Sequence, residues 1–86
     1  MEKTTGQLRT FATLDLYLSA FLALCGIQPE LEISNMKVTF KFPVSDRLYE
    51  SITLFNSNCD IQILDFITAV KTLRGKMLTL RARDDN

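Results

Sequence analysis

Asp15 and Tyr17 stand two residues apart in Thr13-Leu14-Asp15-Leu16-Tyr17-Leu18, and a carboxylate beside a phenol could in principle take and give a proton. The 86-residue sequence contains no histidine, so any acid–base work would fall to carboxylates, lysines or these phenols. No two acids stand at a spacing that suggests a catalytic dyad. A structural role covers both residues: an acid in the first turn of a helix complements the positive helix terminus, and a tyrosine buries its ring while its hydroxyl finds a partner. Cys25 and Cys59 would act as nucleophiles only beside an activating base, and none lies near either in sequence. Cys59 precedes a helix N-terminus, which favours a thiolate, but packing against Leu64 is the simpler role. Two cysteines without histidine make neither a disulfide framework nor an ordinary zinc site. Three scattered glycines form no phosphate-binding loop. No catalytic residue, metal, cofactor or small-molecule ligand is therefore expected, and an enzyme is the class the residues favour least.

Charge offers a second chemistry. Lysine and arginine number ten, aspartate and glutamate ten, so there is no overall attraction to phosphate and nucleic-acid binding would need a local patch. Half of the cations fall within residues 71–83. Of these, Lys71, Arg74, Lys76 and Arg81 are the candidate nucleic-acid contacts, with Lys71 and Arg74 on one side of a continued helix. The simpler account is the helix dipole: Asp60 and Asp65 lie toward the start of the same segment and the cations toward its end. Asp84 and Asp85 dilute the patch, and no aromatic interleaving accompanies it.

These residues must be positioned by a small set of elements. Thr13 can cap a first helix through Leu14-Asp15-Leu16-Tyr17-Leu18-Ser19-Ala20-Phe21-Leu22, which stops at Gly26, a residue free to adopt the left-handed conformation that closes a helix. Apart from Asp15 and Ser19 its circumference is apolar, so it either threads the centre of the domain or meets another chain. The apolar run Leu14 to Ile27 is too short and too polar for the roughly 20 residues that a bilayer requires, and no membrane association is expected. The opening MEKTTGQLRT is polar and lacks the apolar core of a targeting signal, which points to the cytoplasm and to free thiols.

Two alternating segments follow, Glu30-Leu31-Glu32-Ile33-Ser34 and Lys37-Val38-Thr39-Phe40-Lys41-Phe42-Pro43. With Asn35-Met36 as a two-residue loop, one register pairs Ile33 with Val38, Leu31 with Phe40 and Glu30 with Lys41, matching apolar to apolar and acid to base together. Ser45 then caps a helix whose Leu48, Ile52 and Phe55 form a narrow stripe, ending at Asn56-Ser57-Asn58. Asp60 is expected to cap a third helix with Ile63, Leu64, Ile67, Val70 and Leu73 inward and Phe66 flanking. Met77 and Leu80 keep the spacing, so the helix is predicted to pass through Gly75 to about residue 79.

The predicted fold is a small α+β domain of order α-β-β-α-α, three helices on an antiparallel hairpin. Residues 11–80 form the domain, flanked by flexible tails at 1–10 and 81–86. A lone hairpin is marginal and exposes two edges. Either a third strand from Gln7 to Phe11 pairs with it, or two protomers join. The expected function is a non-catalytic interaction and self-association module, a homodimer whose partner is a second copy of itself. Its candidate contact residues are Lys37 and Lys41 on the hairpin and Tyr17 and Phe21 on the first helix. Accessory nucleic-acid binding through the basic third helix is the alternative.

Thr13 to Leu22, Gly26 after it, the alternating Lys37 to Phe42, a Ser-capped helix, an Asn-containing turn and Phe66 to Leu73 followed by basic residues together resemble a family of small prokaryotic and phage domains of unknown function. The resemblance covers about Phe11 to Leu78, and its distinctive core is the T-x-D-L-Y-L motif. The chain departs from the family pattern at Leu14, Asn35-Met36 and Gly75. The resemblance implies the fold and no established activity.

Overall fold

In the computed structural model, which describes residues 9–84, the chain runs β1 (Thr10–Thr13), α1 (Leu16–Leu24), β2 (Glu30–Ser34), β3 (Lys37–Pro43), α2 (Asp46–Asn56) and α3 (Ile63–Asp84). The class is α+β with three helices, as expected, but the domain opens on a strand rather than on a helix. β1 pairs antiparallel with β3, Phe11 opposite Phe42 and Thr13 opposite Phe40, and the sheet order is β1-β3-β2. The anticipated third strand thus exists, shifted to residues 10–13; Gln7 and Leu8 lie outside the described residues. Most of the expected N-terminal tail also lies outside them, and its last residue, Thr10, belongs to the sheet.

The shift moves the first helix cap. Thr13 closes β1, and its Oγ1 accepts from the Asp15 backbone N–H at 3.1 Å. Asp15, not Thr13, is the N-cap of α1, its carboxylate accepting from the Leu18 N–H at 3.0 Å, which satisfies one of the donors every helix start leaves open. At the other end Gly26 sits at φ +89°. The Gly26 N–H donates to the Ala23 carbonyl at 2.9 Å and the Ile27 N–H to the Leu22 carbonyl at 3.0 Å, the paired closure that a left-handed glycine permits. Between these caps Leu18 to Leu22 are all buried, and α1 packs against both α2 and α3. The middle of this apolar helix is therefore covered by the domain itself, while Tyr17 and Leu24 stay exposed on its outer side. Ser19, buried with it, donates its hydroxyl to the Asp15 carbonyl at 2.8 Å, so no polar group is stranded there.

The hairpin register is the expected one, with Ser34 opposite Lys37, Ile33 opposite Val38, Leu31 opposite Phe40 and Glu30 opposite Lys41. Asn35 and Met36 both have positive φ, 53° and 68°, the backbone of a two-residue turn whose twist suits the strands. Val38, Phe40 and Phe42 are buried under the helices with Leu22, Leu48, Val70 and Leu73. One detail differs: Lys41 pairs with Glu32 at 2.7 Å, its diagonal neighbour, rather than with Glu30 directly opposite. A long lysine stem reaches a diagonal acid on the same face as easily as an opposite one.

α2 begins as expected, Ser45 Oγ accepting from the Leu48 N–H at 3.0 Å. α3 differs at both ends. It starts at Ile63, with the Phe66 N–H donating to the Gln62 carbonyl at 3.1 Å, so Asp60 lies on the approach and does not cap it. It continues through Gly75 to Asp84, past the expected end near 79, so that the first residues of the expected C-terminal tail are helical. Its core side carries Val70 and Leu73, with Phe66, Ala69, Met77 and Leu80 packed beside them. Ile63, Leu64 and Ile67, expected inward, face outward. A helix turning about 100° per residue presents one stripe to a core, and the row from Phe66 to Leu80 already fills it.

Candidate interaction surface

Five of the seven residues from Ile61 to Ile67 are large and apolar. One stripe of a helix cannot bury them all. Phe66 turns in; Ile63, Leu64 and Ile67 remain 62%, 74% and 39% exposed. α1 adds Tyr17 to the same region. The residue is 54% exposed, and its ring centroid lies 6.3 Å from that of Phe66, the planes tilted by 30°, within the range in which aromatic pairs attract. Tyr17, Ile63, Phe66, Ile67 and Val70 line an open hollow of about 300 Å³, and Lys71 and Arg74 complete its lining. Among the described residues the ion pair formed is Lys41 with Glu32, and neither cation at this hollow forms one with another described residue. The surface is apolar with a basic end.

The other sequence candidates are dispersed. Phe21 is only 7% exposed and packs 5.4 Å from the Phe55 ring; it is a core side chain, which removes it from the contact candidates. Its place on an all-apolar helix made it ambiguous, and the burial of α1 on several sides decides it. Lys37 is exposed at the start of β3, and Lys41 is held by Glu32. Lys76 lies on a different side of α3 from Lys71 and Arg74. With Arg83 it borders a hollow of about 520 Å³ shared with Leu31, Thr72, Gly75, Thr79 and Leu80. Arg81 is half-buried, and its Nε is buried without a hydrogen-bond partner. The four candidate phosphate contacts therefore do not form one stripe.

The candidates for acid–base and thiol chemistry are similarly placed. Asp15 is engaged as a helix cap. Cys25 and Cys59 are free and half-buried. The Cys25 carbonyl accepts from Arg47 Nη2, and Cys59 borders a small hollow with Phe21, Phe55, Asn58, Ile61 and Phe66. Leu64, expected to pack on Cys59, is the most exposed of the large apolar residues. Among the described residues no group of three or more potential metal ligands assembles, and no helix is long and apolar enough to cross a membrane.

Sequence reasoning missed Ile63, Leu64 and Ile67 as surface residues. The signal was present in their density, since so many large apolar residues within two turns exceed what one buried stripe accepts. Residues 8–79 match the model of a family described as Domain of unknown function (DUF5659). No curated protein and no solved structure matches the chain.

Proposed function

The chain belongs to this family of domains of unknown function, and we propose that it serves as a non-catalytic protein-interaction module that docks a partner on the apolar surface formed by Tyr17, Ile63, Leu64 and Ile67. The observation that carries this reading is the exposure of the three α3 residues beside an exposed aromatic ring. Taking roughly 200 Å² for a large side chain fully in water, these four leave on the order of 450 Å² of apolar surface open, within the size range of patches that mark interaction sites. Scattered single apolar residues need no explanation; a cluster drawn from two helices does. An exposed tyrosine beside aliphatic side chains, with an arginine at the margin, is also the composition enriched at the centres of protein interfaces.

Nucleic-acid binding is the weaker alternative, because the cations it needs divide between two sides of α3. A photo-crosslinking side chain introduced in place of Leu64, with a control in place of Ser34 on the polar face of the sheet, tests the docking surface in cells. Protein adducts from position 64 and few or none from position 34 are expected. No adduct from position 64, or equal yields from both, would refute the reading.

A further inference from the structure

Resting on that docking surface, we propose that its occupant is a second copy of the chain, the two α3 helices lying antiparallel about a two-fold axis at Ile67. Ile63, Ile67, Lys71 and Arg74 follow at intervals of four, four and three along one side of α3, so they form a row, and Asp60 stands on the segment leading into it. The row is acidic before its start, apolar in its first half and basic beyond. An antiparallel copy centred on Ile67 sets Ile67 against the partner's Ile67, Ile63 along the aliphatic stem of the partner's Lys71, and Asp60 near the partner's Arg74. A parallel copy would set acid on acid and base on base.

Among the described residues none of Asp60, Lys71 and Arg74 forms an ion pair within its own chain, so all three charges are available to a partner. A two-fold contact uses the same patch on both copies and satisfies each charge pair twice. The open apolar area supplies more than half of the roughly 800 Å² per partner typical of a stable interface. The arginine and lysine stems supply much of the remainder.

Sedimentation of the full chain over a micromolar concentration series tests the assembly, with circular dichroism confirming that each variant folds. The expected result is a reversible dimer. Ile63→Asp and Ile67→Asp should each abolish it. Asp60→Lys or Arg74→Asp alone should weaken it about tenfold, since each replaces two attractions by two repulsions, and the double variant should recover most of that loss. A wild-type chain that is monomeric throughout overturns the proposal, as does a dimer indifferent to both aspartate substitutions. Charge reversals that fail to rescue one another overturn the antiparallel register. If the wild type is monomeric while position 64 captures a different protein, the second-copy inference falls and the docking surface stands.

Discussion

Alanine at the two described glycines should change stability in opposite directions. Gly75 lies in the interior of α3, more than two turns from either end, and a Cβ built on it meets nothing within 4 Å. Glycine in a helix interior is about 1 kcal/mol less favourable than alanine, and with no steric term to offset it Gly75→Ala should stabilise the domain by about that amount. In a chain of this size this raises the melting temperature by roughly 4–8 °C. Gly26 has φ +89°, and its added Cβ would stand 3.0 Å from Arg47 Nη2, the group that donates to the Cys25 carbonyl. Holding an alanine in the left-handed region costs about 1–2 kcal/mol, and the Arg47 guanidinium, at the end of a flexible exposed side chain, can shift to admit the Cβ, so Gly26→Ala should destabilise by about 1–2 kcal/mol. Urea titrations followed by circular dichroism, all at one protein concentration because assembly would otherwise shift the midpoints, measure both, and unchanged slopes confirm that stability alone has moved. If Gly75→Ala were neutral or destabilising, α3 would not be a continuous helix through residue 75, or the bare backbone beside the hollow with Leu31 would be needed for a close approach. If Gly26→Ala were harmless, the described helix closure would be wrong.

Met36→Gly should stabilise the hairpin, because Met36 holds φ 68° at a turn position suited to glycine. Relief of about 1–2 kcal/mol of left-handed strain, less about 0.5–1 kcal/mol for the extra freedom of an unfolded glycine, leaves a gain on the order of 0.5–1 kcal/mol in the same titration, and a loss would contradict the turn. Phe40→Ala removes a fully buried ring from the central strand and should cost about 3–5 kcal/mol. Set against a total of roughly 4–13 kcal/mol for a chain of this length, that should bring the domain close to unfolding at 37 °C, and a cost below about 1 kcal/mol would place Phe40 outside the core.

The hairpin was legible in the sequence because two independent constraints met in one register. The side-chain period of a strand is two, so a slip of one residue would have turned Ile33, Val38 and Phe40 to the solvent, and the alternating glutamates and lysines fixed the other face. Ser45 and Gly26 were legible because their roles depend on local backbone geometry. β1 was legible only as one of two alternatives and with its bounds displaced, because four residues contain too little alternation to distinguish a strand from a loop, and Thr13 was an equally good helix cap until Asp15 supplied the Leu18 bond. Nor could periodicity decide how far round α3 the core would extend. Ile63 and Ile67 continue the spacing of Arg74 as well as that of a buried row, and only the placement of α1 and the sheet against Val70 and Leu73 selects between them. The candidate surface consequently became visible through a failure of the pattern: residues apolar enough to be core, on a helix whose core side was already occupied.

The hairpin, which as an unpaired ribbon would have required a contact, needs none. β3 has a neighbour on each side, so the strand bearing Val38, Phe40 and Phe42 offers no edge. Of the two outer strands, β2 carries the exposed carboxylates Glu30 and Glu32, a pattern that resists pairing with another strand, and β1 is four residues long, too short to template much of one. α1, the other element with apparent surplus, buries Leu18 to Leu22 inside the domain and leaves Tyr17 and Leu24 exposed, Tyr17 beside the start of α3. The densest group of exposed large apolar side chains lies at the start of α3, where Ile61, Ile63, Leu64 and Ile67 fall within seven residues and outnumber the positions that the core can accept. The balance of burial within one chain thus points to a particular twelve-residue stretch, Ile63 to Arg74, and away from the strands that first raised the question of a partner.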